Sequence, residues 1–197
     1  MSKLENAILD RINKNKYGAF TSSDFLCLGK YKAISKALET MDDNKIIKRI
    51  IRGVYYVPYF DKELNIFSLP KIDDIANALA RQYNWNIVPS GNYALNLIGI
   101  STQVPSQYVY VIDGPYREYQ VGKISLKFKH TTSKEVNGLP IHVLIAIQAM
   151  KKIGKDNLDD LMREKIHSYL TNEDYEVLKS NNYKITSWIY DELLMGE

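Results

Sequence analysis

Three histidines are the side chains of this 197-residue chain best suited to proton transfer or metal binding. His130, His142 and His167 stand far apart, and no H-E-x-x-H spacing places two of them on one helix face. The chain also has no GxxxxGK(S/T) loop, no GxGxxG turn and no G-x-S-x-G elbow, which are sequence signs of phosphate cradles and activated serines. The sequence therefore predicts a protein that is not an enzyme, with no catalytic residues, no metal and no cofactor.

The acidic pairs and the single cysteine have structural explanations. Asp73-Asp74 and Asp159-Asp160 stand at expected helix starts, where carboxylates are favoured by the positive end of the helix dipole. Cys27 lies in the apolar run FLCL, so we expect it to be buried and unreactive. A single cysteine also excludes an internal disulfide.

The basic residues give a more specific signal, because they concentrate near the start of the chain. Residues 1–58 carry 11 Lys+Arg against 6 Asp+Glu, which leaves 15 of the 26 bases and 17 of the 23 acids for the rest. Residues 156–197 form an acidic end, with 4 bases and 10 acids. This asymmetry predicts a module that faces a polyanion, attached to a second part of different character.

The elements expected near the start of the chain can position these charges. Apolar spacing and β-branched runs predict helices at about residues 3–14, 21–29 and 30–41, followed by strands at 45–51 and 54–57. Thr21 followed by Asp24 is a capping arrangement, and Gly53 can supply the positive φ of a tight turn. Three helices followed by a hairpin are typical of the winged helix-turn-helix, whose third helix enters the DNA major groove.

The third helix and the hairpin are expected to present cations on one surface. Ammonium and guanidinium groups there can neutralise phosphates, and the hydroxyl groups can bond to phosphates or base edges. The predicted DNA-binding residues are Lys30, Tyr31, Lys32, Ser35, Lys36, Lys48, Arg49 and Arg52. Arg52, beside Gly53, is the residue we expect at the phosphate backbone. An alternative is a winged helix used only for protein contact, with lysines that serve solubility.

A connector is expected at residues 59–70, and a second domain at 71–197. The patterns predict strands at 85–88, 108–112 and 122–129, and helices after Asp73-Asp74 and at 93–98, 141–152, 158–170, 172–179 and 185–194. The expected fold class is α+β, with a winged helix-turn-helix followed by a mixed α/β domain that ends in acidic helices.

Two places in the second domain allow a functional and a structural interpretation. Ser90-Gly91 is either the edge of a pocket or an ordinary turn. Lys127, Lys129 and His130, with Lys134, form a second basic cluster. This cluster is either a patch for RNA, a nucleotide or an acidic partner, or the solvated face of an edge strand.

The chain gives no sign of a membrane partner. No run approaches the roughly 18 consecutive apolar residues of a membrane span. The opening MSKLENAILDRINKN also lacks a basic segment followed by an apolar run, so it does not resemble a secretory signal. We therefore expect a cytoplasmic protein.

Four segments together resemble a known family. They are ISKALETMDDNKIIKRIIRGVYYVP, IANALARQ, PSGNYALNLIGISTQVP and DGPYREYQVGKISLKFKHTT. They are similar to the AbiEi family of antitoxins, from type IV toxin-antitoxin systems that act in abortive infection and phage defence. The resemblance covers roughly residues 19–155, and its most specific parts are the RGVYYVP wing and the PSGNYALNLIGISTQVP segment.

The resemblance implies a DNA-binding transcriptional autorepressor that is also an antitoxin. The winged helix would bind double-stranded DNA at inverted repeats in its own promoter, through Lys30, Lys32, Ser35, Lys36 and Arg52. The second domain would counteract a nucleotidyltransferase-like toxin, and a stable complex with that toxin is not required. The region nominated for antitoxicity is 89–105 with 127–134, and its candidate residues are Ser90, Asn92, Gln103, Lys127, Lys129 and His130.

One alternative function remains open from the sequence. A nucleotide- or RNA-binding module, or an enzyme, could carry a winged helix and have its own site in the second domain.

Overall fold

The computed structural model of the protein describes residues 1–61, 65–180 and 185–195. The structure is 52% helix and 18% strand, so the expectation of a mixed α and β protein is confirmed at that level. The chain divides into two compact units, Met1–Trp85 (unit 1) and Asn86–Glu197 (unit 2). This division falls later in the chain than the expected boundaries at residues 58 and 71.

Unit 1 opens with a helix at the expected position. α1 (Lys3–Asn15) begins at a capping box, in which Glu5 N donates to Ser2 Oγ at 3.2 Å and Ser2 N donates to Glu5 Oε2 at 3.0 Å. These two bonds satisfy amides that have no partner inside the helix. Ile8 and Ile12 then face the core of the unit, in agreement with the spacing of apolar residues in the sequence.

The second helical segment is a 3₁₀ helix, Ser22–Leu28, and it corrects the expectation for Cys27. Thr21 N donates to Asp24 Oδ2 at 2.8 Å, which is the predicted capping arrangement. Phe25 is fully buried and Leu28 is partly buried, whereas Cys27 is exposed. The prediction that Cys27 is buried is therefore wrong. A 3₁₀ helix has three residues per turn, so positions 25 and 28 share the inner face and position 27 points outward.

The helix predicted at residues 30–41 and the hairpin that follows it are both present. α2 (Tyr31–Asp43) buries four apolar residues, which are Ile34, Ala37, Leu38 and Met41. β1 (Lys48–Ile51) pairs antiparallel with β2 (Val54–Tyr56). Gly53 has a φ of 81° at the turn, a conformation that glycine adopts without steric cost. Two backbone bonds between Phe20 and Tyr55, at 2.9 and 2.8 Å, attach β2 to the segment before the 3₁₀ helix.

The stretch expected as a connector contains a second hairpin. β3 (Tyr59–Asp61) pairs antiparallel with β4 (Ile66–Ser68), and residues 62–64 lie outside the described residues. The next helix, α3 (Ile72–Tyr83), is part of unit 1. Residues 59–83 therefore add a hairpin and a helix to the unit that carries the basic residues.

Arg81 explains why α3 belongs to unit 1. Its Nε donates to Asp24 Oδ1 at 2.6 Å, and its Nη2 donates to the Ala19 carbonyl at 3.0 Å. The guanidinium carbon also lies 4.6 Å from the centre of the Tyr17 ring. Only 3% of the Asp24 side chain is exposed, so this carboxylate depends on Arg81 for its countercharge.

Unit 2 is built on a four-stranded sheet with the order β5–β6–β8–β7. Its strands are β5 (Ile87–Ser90), β6 (Gln107–Ile112), β7 (Arg117–Val121) and β8 (Ile124–His130). β6 and β8 run parallel, and the other neighbours are antiparallel. The sequence pattern does not predict β7, because the run REYQV has little apolar or β-branched character.

Helices complete unit 2. They are α4 (Asn92–Ile98), α5 (Ile141–Ile153), α6 (Asp160–Tyr169), α7 (Asn172–Ser180) and α8 (Ser187–Leu194), and residues 181–184 lie outside the described residues. The core joins Val88 on β5 with Ala146 and Met150 on α5 and with Leu178 and Leu193 in the last helices. In the described residues, no helix combines the length and the apolar character needed to traverse a membrane.

Candidate nucleic-acid interface

The start of α2 carries an exposed row of cations. Lys30, Lys32 and Lys36 are exposed, as is Tyr31, with 60% of its surface accessible. Among the described residues, none of the three lysines forms an ion pair within 4.0 Å. The opposite face of α2 is fixed in the core by its apolar residues, so the position of this row is set by packing.

Two hydroxyl groups of α2, those of Ser35 and Thr40, are already engaged in hydrogen bonds. Ser35 is partly buried, and its Oγ lies 3.1 Å from Ser22 Oγ on the 3₁₀ helix. Thr40 Oγ1 donates to the Lys36 carbonyl at 3.0 Å. Ser35 therefore links α2 to the 3₁₀ helix, whereas Tyr31 is an exposed residue.

The three cations of the β1–β2 hairpin lie in different environments. Arg52 is exposed at the turn, and Arg49 is exposed on β1. Lys48 is partly buried, and its Nζ lies 4.5 Å from the centre of the Phe67 ring on β4. Successive side chains of a strand point to opposite faces, so Lys48 and Arg49 cannot act on the same surface.

A groove of about 220 Å³ joins the hairpin to α2. Its lining residues are Ser22, Ser23, Tyr31, Ser35, Glu39, Arg49, Arg52, Gly53, Tyr55 and Gln82. Four predicted DNA-binding residues, Tyr31, Ser35, Arg49 and Arg52, therefore meet in one concavity. The lining has two arginines and one acid, Glu39, so its net charge is positive.

The Tyr55 hydroxyl contributes no charge to this groove. Burial raises the pKa of its hydroxyl, the charge of Arg49 lowers it, and Asp42 and Glu39 raise it, so that it lies above the ordinary value of 10.0. The hydroxyl is therefore neutral at physiological pH, and the positive charge of the groove comes from Arg49 and Arg52.

Six of the ten lining residues of the groove were not predicted as DNA-binding residues, and Ser22, Ser23 and Gln82 are among them. Ser22 and Ser23 follow the capping residue Thr21 and gave no signal beyond that of a helix start. Gln82 lies on α3, which the sequence analysis placed in the second domain. Its distance from the hairpin in the chain is the reason it was missed.

The six residues nominated in unit 2 do not form one cluster. Ser90, Asn92 and Lys129 line a cavity of about 380 Å³, together with Gly91, Pro105, Ser106, Gln107, Val109, Gln148, Lys151 and Lys152. Gln103 is exposed on a loop, and its carbonyl accepts a bond from Asn96 Nδ2 at 3.2 Å. Ser90-Gly91 therefore borders a cavity as well as forming a turn.

The other two nominated residues do not line this cavity. Lys127 Nζ lies 3.3 Å from Glu118 Oε1 on β7. His130 follows Lys129 and so points to the other face of the sheet, where its Nδ1 lies 2.9 Å from the Gly114 carbonyl. The side chain of Lys134 lies outside the described residues. The second basic cluster seen in the sequence is therefore divided between two faces.

Within the part of the chain that the structure describes, no group of three or more His, Cys, Asp or Glu residues is arranged to hold a metal ion. Among curated proteins, none matches the sequence significantly. A family model does match, and it extends over residues 7–178, which is most of both units. The chain therefore belongs to DUF6088, a family of unknown function.

Proposed function

We propose that unit 1 is a winged helix-turn-helix that binds double-stranded DNA. In this proposal α2 is the recognition helix, the β1–β2 hairpin is the wing, and the 3₁₀ helix is the middle helix of the motif. The element order and the backbone bridge between Phe20 and Tyr55 support this assignment.

The observation that carries the proposal is the groove between α2 and the hairpin. Arg49 and Arg52 line one side, and Tyr31 lies on the other, next to the exposed Lys32 and Lys36. A phosphate backbone following this surface would meet cations from both elements. Lysine and arginine contacts of this kind release counterions from DNA, so binding should weaken steeply with salt.

The wider role we propose is autorepression combined with antitoxicity. The protein would bind inverted repeats in its own promoter, and unit 2 would counteract a nucleotidyltransferase-like toxin without a stable complex. This part of the proposal is supported by the resemblance of the RGVYYVP and PSGNYALNLIGISTQVP segments to AbiEi antitoxins. It also agrees with the finding that every described lining residue of the groove belongs to unit 1.

A mobility-shift titration with the DNA upstream of the gene tests the DNA-binding part. We expect Lys32→Glu combined with Lys36→Glu to weaken binding roughly 10–100-fold at low salt and to reduce the salt slope by about two. The control is Lys3→Glu with Lys14→Glu, which makes the same charge change at exposed positions of α1. Equal losses in the two double variants would refute the role of α2.

A co-expression assay tests the antitoxin part separately. The wild-type chain and the Lys32→Glu, Lys36→Glu variant are each expressed with the nucleotidyltransferase-like toxin gene that the proposal expects beside the gene for this protein. We expect both to restore growth, because the altered lysines lie in unit 1, and only the wild type to repress a promoter reporter. A wild-type chain that represses the reporter but fails to restore growth would leave a repressor without antitoxin activity.

A further inference from the structure

We propose that the cavity in unit 2 binds a small phosphorylated ligand through its phosphate group. The cavity lies between the sheet and α5, and it is distinct from the groove proposed for DNA. Its volume of about 380 Å³ falls within the range of about 300–1,000 Å³ typical of small-molecule sites.

The strand register explains how the cavity is built. Ser90 pairs with Val109, Val109 pairs with Lys127, and Val111 pairs with Lys129, so these positions share one face of the sheet. The last two turns of α5 cover this face and contribute Gln148, Lys151 and Lys152. Each side chain of the cavity is therefore held by a regular element or by the segments that flank β5 and β6.

The charge of the lining matches a phosphate monoester. Lys129, Lys151 and Lys152 line the cavity, and none of the described lining residues carries a carboxylate. Lys151 pairs with Glu135 at 2.8 Å, whereas Lys129 and Lys152 have no ion pair among the described residues. Two positive charges therefore remain uncompensated, and a phosphate monoester carries about −1.5 to −2 at pH 7.

Glu135 neutralises Lys151, the third lysine of the lining, near neutral pH. Burial alone would raise the pKa of Glu135, but hydrogen bonds from Lys151 and Thr131 and the charge of Lys151 lower it below its ordinary value. The carboxylate is therefore ionised and neutralises Lys151, while the other two lysines remain available to an anion.

The cavity wall also contains a buried amide. Gln148 is 4% exposed, and its Oε1 accepts a bond from Ser90 Oγ at 3.0 Å. Its Nε2 has no partner within hydrogen-bond distance in the described residues, although the amide lies close enough to Glu135 to lower the pKa of that carboxyl. Buried polar groups are normally paired, so an incompletely paired amide in an apolar helix favours a polar site.

The lining favours a phosphate ester with a small polar body over a nucleobase. The described lining residues include hydroxyl and amide groups from Ser90, Asn92, Ser106 and Gln107 but no aromatic ring. Proteins that bind bases usually stack them on aromatic side chains. A sugar-like phosphate, which presents hydroxyl groups beside the anion, fits this surface better.

A purely structural explanation accounts for only part of this arrangement. Lysines in the last turn of a helix are favoured by its dipole, which would explain Lys151 and Lys152 on α5. It does not explain Lys129, which comes from β8 and faces the same cavity.

Amide NMR titration of the full-length protein at low salt tests the proposal, with inorganic phosphate, ribose 5-phosphate and ribose as probes. We expect saturable shifts at Gly91, Asn92 and Lys129 with both phosphates, larger affinity for ribose 5-phosphate, and none with ribose. Tighter binding of inorganic phosphate would instead identify the free anion as the ligand. Absence of saturable shifts with either phosphate would overturn the proposal.

Matched variants locate the effect. Lys129→Gln with Lys152→Gln should weaken the binding of ribose 5-phosphate at least about tenfold, because both uncompensated charges are removed. Lys123→Gln with Lys155→Gln makes the same charge change at exposed positions outside the lining and should bind like the wild type. Equal weakening in both pairs would refute a specific site, as would binding of a 5′-phosphorylated oligoribonucleotide at these amides when ribose 5-phosphate fails to bind.

Discussion

The two units use their cations in different ways. In unit 1, Arg81 is paired with the buried Asp24, and the lysines of α2 remain on an exposed helix surface beside the arginines of the groove. In unit 2, Lys127 and Lys151 are paired with acids, and two lysines without an ion pair among the described residues, Lys129 and Lys152, line the same cavity.

This difference indicates ligands of different shape. A row of cations along a helix and a hairpin can follow an extended polyanion, and each contact adds to the affinity. Two cations at a cavity can neutralise one compact dianion, and the walls limit its size. The distribution of unpaired charge is therefore more informative than the net charge of the chain, which is only +3.

Substitution of Arg81, the cation paired with buried Asp24 in unit 1, is expected to have the largest effect and tests this comparison. Arg81→Met would leave the Asp24 carboxylate buried without its countercharge, and the Ala19 carbonyl would lose a donor. Because 37% of the Arg81 side chain is exposed, we expect a loss of about 2–3 kcal/mol in the free energy of unfolding, below the 3–5 of fully buried pairs. Urea unfolding monitored by circular dichroism measures it.

Lys127→Met is the matched control for that experiment in unit 2. Its ion pair with Glu118 is partly exposed on both sides, so water can replace it, and the unfolding midpoint should change little. If the two variants lose the same stability, the distinction between folding cations and surface cations fails.

Arg52 gives the next largest effect and tests the wing. Arg52→Gln should weaken DNA binding about fivefold and reduce the salt slope by about one, because the exposed turn loses a phosphate contact. Lys48→Gln is the comparison on the same hairpin. Lys48 faces the Phe67 ring, so its removal should change the salt slope less. A larger loss for Lys48→Gln than for Arg52→Gln, measured by fluorescence anisotropy over a salt series, would contradict this orientation of the hairpin.

The elements that the sequence predicted best depend on local patterns. The spacing of Ile8 and Ile12 indicates α1, and the Arg52-Gly53 turn with its flanking strands indicates the first hairpin. The grouping of α3 with unit 1 depends on a contact between Arg81 and Asp24, 57 positions apart, which no local pattern reveals. β7 was missed because an edge strand can be held by backbone bonds without an apolar pattern.

The candidate sites were predictable to a similar extent. Charge alone identified Lys32 and Arg52, but the groove also needs Gln82 from a distant helix. In unit 2, the sequence nominated Lys129 for the site. It nominated no residue of α5, because that segment was expected only as an apolar helix. Gln148 was the available signal, since an amide inside the run IHVLIAIQAMKKI requires a polar partner.

The smallest expected effect concerns His167. The environment of this potential cation differs from that of the paired lysines and of the lysines at the cavity. Burial lowers the pKa of His167 below its ordinary value of 6.5, the charge of Glu192 raises it, and that of Arg163 lowers it. The ring Nδ1 lies 2.8 Å from the Tyr175 hydroxyl, a bond that the neutral imidazole can make. Burial in unit 2 therefore favours the neutral form of His167.

The pH dependence of stability tests this assignment. The unfolded chain binds a proton at His167 more readily than the folded chain does. The contribution of neutral His167 to the free energy of unfolding is therefore complete above pH 6.5 and is lost as the pH falls below it. His167→Gln removes the titrating group and should reduce the fall in the free energy of unfolding between about pH 7.5 and about pH 5.5. His130→Gln, at an exposed position of β8, is the control. Identical pH profiles for the two variants would show that burial of His167 does not govern the acid sensitivity of unit 2.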